Sequence, residues 1–217
     1  MKRILLVSGS PLFESASHLQ SLAQKHDVVI ACDLGADYCM QAGIAIDVFI
    51  GDQDSVSDAG KAYANASASE IREYAADKDA TDFELALQYI NETYDTTDVF
   101  ITITNVFGNR IDHMLAAYGG LLKYTHFDMG ISEASFEAWI LDAKQTNSLY
   151  LHDVAGQTFS LLSFSKESKV SLKGFNWNLK HETLEKLSGK GVSNVVKKKR
   201  AQVYIAKGKC LAILYGV

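Results

Sequence analysis

The sequence is poor in proline and cysteine. Pro11 is the single proline among 217 residues, so no proline-rich linker marks a domain border. The three cysteines, Cys32, Cys39 and Cys210, lack the spacing of metal ligands. Such an odd and sparse set is typical of a reducing compartment, and we therefore predict a cytoplasmic protein.

Long apolar runs and excess positive charge are missing as well. No run reaches the length of a membrane-spanning helix, and the apolar residues 4–7 are too few for the core of a signal peptide. The formal net charge of −5 argues against nonspecific nucleic-acid binding as the main task. We expect neither a membrane nor a nucleic acid as a partner.

Two common phosphate-binding sequences are also absent. The chain contains neither the G-x-x-x-x-G-K-[ST] phosphate loop nor the G-x-G-x-x-G fingerprint. This excludes an ordinary P-loop NTPase and an ordinary dinucleotide enzyme. The segment Ser8-Gly9-Ser10 nevertheless follows the first predicted strand, which is where α/β sheets bind ligands.

Strand-length apolar runs alternate with helical patterns in the first half of the chain. Strands are predicted at residues 4–7, 28–32, 48–50 and 99–103, and helices at residues 15–25, at residues 57–73, from Thr81 onward and from Arg110 onward. Thr81 and Glu84 form a capping-box pattern, and the last helix places Ile111 and Leu115 on one apolar face. This alternation predicts a mostly parallel, Rossmann-like sheet with helices on both faces.

The pattern changes after about residue 145. Short strand-like runs follow one another at residues 148–151, 158–164, 169–172, 203–205 and 211–215. They predict an all-β sandwich, in which Phe175 and Trp177 are interpreted as core residues. We therefore predict two domains, an α/β domain at residues 1–135 and a β-sandwich domain at residues 136–217.

Carboxylates concentrate in short segments next to the predicted strands and helices. Asp52 and Asp54 are two residues apart, so their side chains point the same way if the segment is extended. Asp77, Asp79 and Asp82 are more acidic groups than one helix cap requires. Gathered carboxylates repel one another unless a cation lies among them, and Mg²⁺ prefers oxygen ligands and accompanies phosphates. The pattern favours a magnesium-dependent enzyme that acts on a nucleotide.

A third segment combines positive and negative charge. Arg110 lies at a predicted helix start, where its charge opposes the helix dipole, whereas its planar guanidinium suits a phosphate. Asp112 and His113 also have local explanations, as a dipole partner and as a structural histidine. Turns and helix caps remain an alternative for the acidic segments, and D-x-D pairs also occur in sugar-nucleotide transferases.

Together the segments GDQDS (51–55), DKDATDFELAL (77–87) and GNRIDHMLAA (108–117) resemble the thiamine pyrophosphokinase family. Residues 33–36 resemble its D-G-G-A segment, residues 191–194 its G-x-S-N segment, and residues 174–179 the strand before that segment. The resemblance extends over about residues 4–215. It implies transfer of a diphosphate from ATP to the hydroxyethyl group of thiamine, with release of AMP.

The resemblance also implies roles for individual residues. The implied metal ligands are Asp52, Asp54 and Asp79, and the implied catalytic set is Asp52, Asp54, Asp79, Arg110 and Asp112. The implied nucleotide-binding residues are Asp33, Gly35, Ser55, Lys78, Thr81, Asp82 and Gly108, and the implied thiamine-binding residues are Ser193 and Asn194. The first domain would bind ATP with Mg²⁺, and the second would bind thiamine and form a homodimer with shared active sites.

Two further interpretations are consistent with the same residues. One is a pyrophosphokinase of similar fold that acts on another alcohol, such as a hydroxymethyl pterin. The other is a non-catalytic sensor of thiamine or nucleotide, which would not need to keep all the carboxylates and Arg110.

Asparagine at position 52 or 54 tests the predicted metal site. Asp52→Asn and Asp54→Asn each remove one anionic ligand while conserving volume, so we expect turnover to fall at least about 100-fold in a folded protein. The measurement is AMP release at saturating Mg²⁺, with circular dichroism as the control for folding. Near-normal activity of both variants would reject the assignment.

Overall fold

The protein is described by a computed structural model that covers residues 1–51, 55–74 and 79–216. The chain forms two compact units, Met1–Ala134 and Ser135–Val217. Each unit has its own sheet architecture.

A parallel sheet forms the centre of the first unit. Its strands are β1 (Lys2–Val7), β2 (Val28–Cys32), β3 (Val48–Gly51), β4 (Glu70–Glu73), β5 (Val99–Thr104) and β6 (Asp128–Ser132). Their order is β6-β5-β1-β2-β3-β4, and each of these neighbouring pairs is parallel. The predicted mostly parallel sheet is confirmed, and β1 and β2 are buried along most of their length because both faces are covered.

Five helices in the described part of this unit flank the sheet. They are α1 (Ala16–Ala23), α2 (Gly35–Ala42), α3 (Asp58–Ser67), α4 (Asp82–Thr93) and α5 (Ile111–Lys123). Helix α2 contacts α1 and α3, and α4 contacts α5. The predicted capping box at the start of α4 is confirmed, since Glu84 N donates to Thr81 Oγ1 at 3.2 Å and Thr81 N donates to Glu84 Oε2 at 3.3 Å.

The structure corrects two predictions in this unit. The helix predicted at residues 57–73 ends at Ser67, and residues 70–73 form β4 instead. This strand lies at the sheet edge and has Ile71 as its only apolar residue, so its sequence lacks an apolar run. The apolar face predicted for α5 is also largely exposed rather than buried among the described residues, since Ile111 and Leu115 are 66% and 58% exposed.

The second unit is a β-sandwich, as predicted. Its strands are β7 (Phe136–Asp142), β8 (Ser148–His152), β9 (Thr158–Ser163), β10 (Glu167–Lys173), β11 (Leu179–Glu185), β12 (Asn194–Val195), β13 (Arg200–Lys207) and β14 (Lys209–Tyr215). One antiparallel layer has the order β12-β9-β14-β7 and the other β11-β10-β13-β8. Apolar side chains of both layers, including Phe159 and Val203, form one buried core.

None of the helices in the described ranges combines the length and the apolar character needed to cross a bilayer.

Close packing requires glycine at one position of the first unit. A Cβ on Gly35, at the start of α2, would collide with the carbonyl oxygen of Val7 at the end of β1. Helix α2 can therefore approach the sheet only because residue 35 has no side chain.

Alanine at position 35 should destabilise the protein. We expect Gly35→Ala to lower the free energy of unfolding by about 1–3 kcal/mol, because the backbone of β1 cannot move without disturbing the sheet. The matched control is Gly119→Ala in α5, where a Cβ would have no neighbour within 4 Å. That control should raise the free energy of unfolding by roughly 0.5–1 kcal/mol. Urea denaturation measures both changes, and equal stability of the two variants would contradict the packing argument.

Candidate active site

The carboxyl ends of the parallel strands surround a cavity of about 130 Å³. The segment after β1 contributes Ser8, Gly9 and Ser10 to its wall. Five residues predicted as site members also line it, namely Asp33, Thr81, Asp82, Gly108 and Arg110. In open α/β sheets ligands bind at this edge, so the cavity is the candidate active site of the first unit.

Asp33 and Asp82 lie close to the end of β3. A Cβ placed on Gly51 would lie 3.4 Å from Asp82 Oδ1 and 3.4 Å from the backbone nitrogen of Asp33. Burial raises the pKa of the Cys32 thiol well above its usual range, and the negative charges of Asp33 and Asp82 raise it further. The two carboxylates therefore place negative charge next to Gly51. Gly51 directly precedes the D-x-D pair in the sequence.

Several predicted residues lie outside the described part of the chain. These are Asp52, Asp54 and Lys78. Asp79 and Ser55 are described, and both are exposed. The described residues do not by themselves form a group of three or more side chains able to hold a metal ion. The assignment of Asp52, Asp54 and Asp79 as metal ligands therefore stays a prediction.

Arg110 and Asp112 form a two-pronged ion pair at the start of α5. Arg110 Nε donates to Asp112 Oδ1 at 3.0 Å, and Nη2 donates to Oδ2 at 2.7 Å. Hydrogen bonding to Arg110 lowers the pKa of Asp112 far below its usual range. A carboxylate held in this way is a poor proton acceptor, so a role as a base would require Asp112 to lose its pairing with Arg110.

The loop between β5 and α5 is held tightly against the segment after β1. Ser10 Oγ donates to the carbonyl oxygen of Phe107 at 2.7 Å, and Ser10 N donates to that of Asn105 at 3.0 Å. A Cβ on Gly108 would collide with the Ser10 hydroxyl. This close approach explains why residue 108 is a glycine. Arg110 follows two residues later, so the same contact also restrains the position of Arg110.

Thr81 has a structural role in the described residues. Its hydroxyl accepts the N–H of Glu84 and caps α4, whose first residue is Asp82. Glu84 also pairs with Lys123 of α5 at 3.0 Å. These contacts orient the start of α4, and they place Asp82 at the cavity.

The second unit contains the other predicted pair, Ser193 and Asn194. Asn194 is buried, its Oδ1 accepts Trp177 N at 3.1 Å, and its Nδ2 donates to Trp177 O at 2.7 Å. Ser193 is exposed and has φ +59, a left-handed conformation that is uncommon for serine. Ser193 N donates to Ser160 Oγ at 3.1 Å.

The interpretation of Trp177 as a core residue is wrong. Phe175 is buried, as expected, but Trp177 is 62% exposed. Residues 174–178 form a turn between strands, so the two-residue alternation of a strand does not apply to them. Asn194 holds the backbone of Trp177 on both sides, and this pairing of distant residues gives no local sequence signal.

Comparison with known families agrees with both units. Residues 19–132 match the thiamin pyrophosphokinase catalytic domain, and residues 146–210 match the thiamin pyrophosphokinase vitamin B1 binding domain. The chain belongs to the thiamine pyrophosphokinase family. The predicted family, the predicted class of enzyme, a thiamine diphosphokinase, and its predicted function are thereby confirmed, and the two alternative functions are not favoured.

Individual relatives agree with this assignment over the whole chain. The chain is 27% identical to a thiamine pyrophosphokinase of Bacillus subtilis (strain 168) over 214 residues, which is 98% of both chains. The fold is similar to that of a solved thiamine pyrophosphokinase from Bacillus subtilis, with a TM-score of 0.82, 23% identity and 100% coverage of both chains. It is also similar to the Candida albicans structure, with a TM-score of 0.80, 16% identity, and 99% and 89% coverage of this chain and that chain.

Lysine at position 110 tests whether the two-pronged geometry matters in this thiamine pyrophosphokinase family member. Arg110→Lys keeps the charge but removes the planar pair of donors, so we expect turnover to fall at least about 10-fold. Thiamine binding measured without nucleotide should change little. The matched control is Arg72→Lys, which alters an exposed Arg–Glu70 pair on β4, outside the cavity. Equal turnover of the two variants would make Arg110 a surface residue.

Proposed function

We propose that this chain transfers the diphosphate group of ATP to the hydroxyethyl oxygen of thiamine through the cavity at the carboxyl edge of its parallel sheet. The observation that carries the proposal is that Asp33, Asp82 and Arg110 line one cavity in a chain with both domains of the family. Carboxylates beside an arginine fork suit a nucleotide diphosphate that arrives with a cation.

The residues around this cavity fit a magnesium ion. Gly51, next to Asp33 and Asp82, directly precedes Asp52 and Asp54, so the candidate ligands are carboxylate oxygens, which Mg²⁺ prefers. We assign the ion to Asp52, Asp54 and Asp79. When bound, Mg²⁺ would neutralise charge on the phosphate oxygens.

Arg110 is the described residue best suited to bind the transferred group. In the reaction, the hydroxyethyl oxygen of thiamine forms a bond to the β-phosphorus, and the bond from the β-phosphorus to the oxygen it shares with the α-phosphorus breaks. The hydroxyl proton leaves, and AMP is released. Arg110 would exchange Asp112 for a phosphate with the same two-pronged geometry, which would also free Asp112 to accept a proton.

The proposed nucleotide site is completed by seven further residues, namely Asp33, Gly35, Ser55, Lys78, Thr81, Asp82 and Gly108. Among them, Asp33 and Asp82 would contribute side chains at the cavity, whereas Gly35, Thr81 and Gly108 would contribute through the close packing and capping described above.

Trp177, which lies between β10 and β11, forms the proposed thiamine site together with Ser193 and Asn194 at the start of β12. Thiamine carries a positive charge on an aromatic ring, and an exposed indole binds such a cation through its π face. Asn194 would hold Trp177 in place, and the exposed Ser193 would contact the substrate.

The proposed assembly is a homodimer in a reducing compartment such as the cytoplasm. All three cysteines are free and buried, which suits a reducing environment. A two-fold axis repeats every surface, so each active centre would take its aspartate cluster from one subunit and Ser193 from the other.

One incubation tests the proposed reaction. The protein is mixed with ATP, Mg²⁺ and thiamine, and we expect AMP and thiamine diphosphate in equal amounts. A parallel incubation replaces thiamine by a hydroxymethyl pterin. Release of AMP with the hydroxymethyl pterin but not with thiamine would reject thiamine as the acceptor. Absence of AMP release with both compounds would indicate a sensor.

Mixed dimers test the shared site. Asp54→Asn and Ser193→Trp subunits, each inactive alone, are allowed to exchange. In a mixed dimer with shared sites, one active centre contains both substitutions and the other contains neither. One of the two centres should therefore recover activity. The control is exchange between two Asp54→Asn preparations, which should recover nothing. Absence of recovery despite demonstrated exchange would place the whole site within one chain.

A further inference from the structure

Glu133 is a buried carboxylate that the proposed reaction does not use. It directly follows β6 and is 4% exposed. Its Oε2 accepts the backbone N–H of Asn105 at 3.0 Å, and its Oε1 accepts that of Val106 at 3.0 Å. The backbone N–H of Phe107 also hydrogen-bonds to this carboxylate. Three successive N–H groups thus point at one side chain.

These N–H groups begin the loop that carries Arg110. Strands β5 and β6 are parallel neighbours with Ile103 opposite Ile131, so Glu133 lies beside the first residues after β5. The same loop contains Gly108 and ends at Arg110, which both line the cavity. Glu133 is therefore connected to the cavity through the backbone of a single short loop.

Successive backbone N–H groups of this kind form a concave anion site. In many nucleotide-binding proteins a phosphate occupies such a site. In this chain the Glu133 carboxylate accepts the hydrogen bonds from these N–H groups. Burial raises the pKa of Glu133 to about 7, while the bonds from the backbone N–H groups oppose that rise. The backbone N–H groups of the loop and the oxygens of Glu133 are thus paired by hydrogen bonds, and burial of either group without the other would be costly.

The loop conformation needs such support. Asn105 has φ +54, a left-handed conformation that costs free energy in a residue other than glycine. Its side-chain Nδ2 is buried and makes no hydrogen bond within the described residues. The backbone N–H of Asn105, in contrast, is bound to Glu133. The carboxylate therefore stabilises this turn from the β6 side, together with the bonds that Ser10 donates to the carbonyl oxygens of Asn105 and Phe107.

We propose that Glu133 is a positioning residue for diphosphate transfer, which occupies the backbone anion site of the β5–α5 loop and thereby fixes the loop that presents Arg110. It follows that the phosphates of the nucleotide do not bind to the N–H groups of Asn105 and Val106. They bind instead at the far end of the loop, near Arg110. This inference rests on the proposed function, since it assigns Glu133 a role in the same reaction.

The test is Glu133→Gln, which keeps the shape and one acceptor oxygen but replaces the other by an NH₂ group facing an N–H donor. At about pH 8, where Glu133 is ionised, we expect kcat to fall about 10- to 100-fold through misplacement of Arg110. The KM for thiamine should change less than about threefold, since no thiamine contact is altered. Thermal unfolding and circular dichroism report whether the fold is retained.

The matched control is Asp47→Asn. Asp47 Oδ2 accepts the N–H of Val29 at 2.7 Å, so the control also removes a charge that binds a backbone donor. It acts at the start of β2, at the opposite edge of the sheet from the cavity. We expect its kcat to equal that of the wild type. Equal kcat of Glu133→Gln and Asp47→Asn would overturn the proposal, and so would failure of Glu133→Gln to fold, because Glu133 would then be a folding residue.

Hydrogen exchange gives an independent measurement on the wild-type protein. The proposal requires slow exchange of the Asn105 and Val106 amides in the wild type, and exchange about 10-fold or more faster in Glu133→Gln with the amides of β5 unchanged. Fast exchange of the two amides in the wild type would overturn the proposal. Absence of diphosphate transfer by the wild type would reject the proposed function instead, and the exchange data would still decide whether Glu133 holds the loop.

Discussion

The parallel register of β1, β2, β3 and β5 is the constraint on which the candidate site depends. Parallel pairing places the carboxyl ends of all these strands at one edge, so residues from distant segments meet there without any direct attraction. Asp33, Asp82 and Arg110 carry like and opposite charges into one small cavity for this reason. The sheet core provides the free energy that brings the charges together.

Buried carboxylates connect this sheet to the loops around the cavity. Glu133 holds the loop after β5, and Asp37 on α2 accepts the backbone N–H of Ser57 at 3.0 Å together with its hydroxyl. Ser57 caps α3, directly after the segment with the D-x-D pair. In both cases an acidic group of low exposure accepts hydrogen bonds from the backbone of a neighbouring segment, at Ser57 and at residues 105–106.

Charge pairing around Arg110 has a different character. The Arg110–Asp112 pair is exposed, and exposed ion pairs contribute little to stability. Its geometry nevertheless keeps the guanidinium in the arrangement that a phosphate also prefers, so replacing one anion by the other needs little reorganisation. In the proposed reaction, the same exchange would remove the Arg110 hydrogen bonds that lower the pKa of Asp112, so Asp112 could then accept a proton.

Local patterns in the sequence determined the α/β and β-sandwich order, the capping box at Thr81 and the family motifs, because strand and helix periodicity and capping act over a few residues. The tertiary structure decided which donors and acceptors meet. Glu133 binds Asn105 across 28 positions, Asn194 binds Trp177 across 17, and neither pair has a local signature. The exposure of Trp177 and Leu115 likewise depends on which neighbours the fold supplies, since burial is a property of packed elements rather than of a residue's own segment.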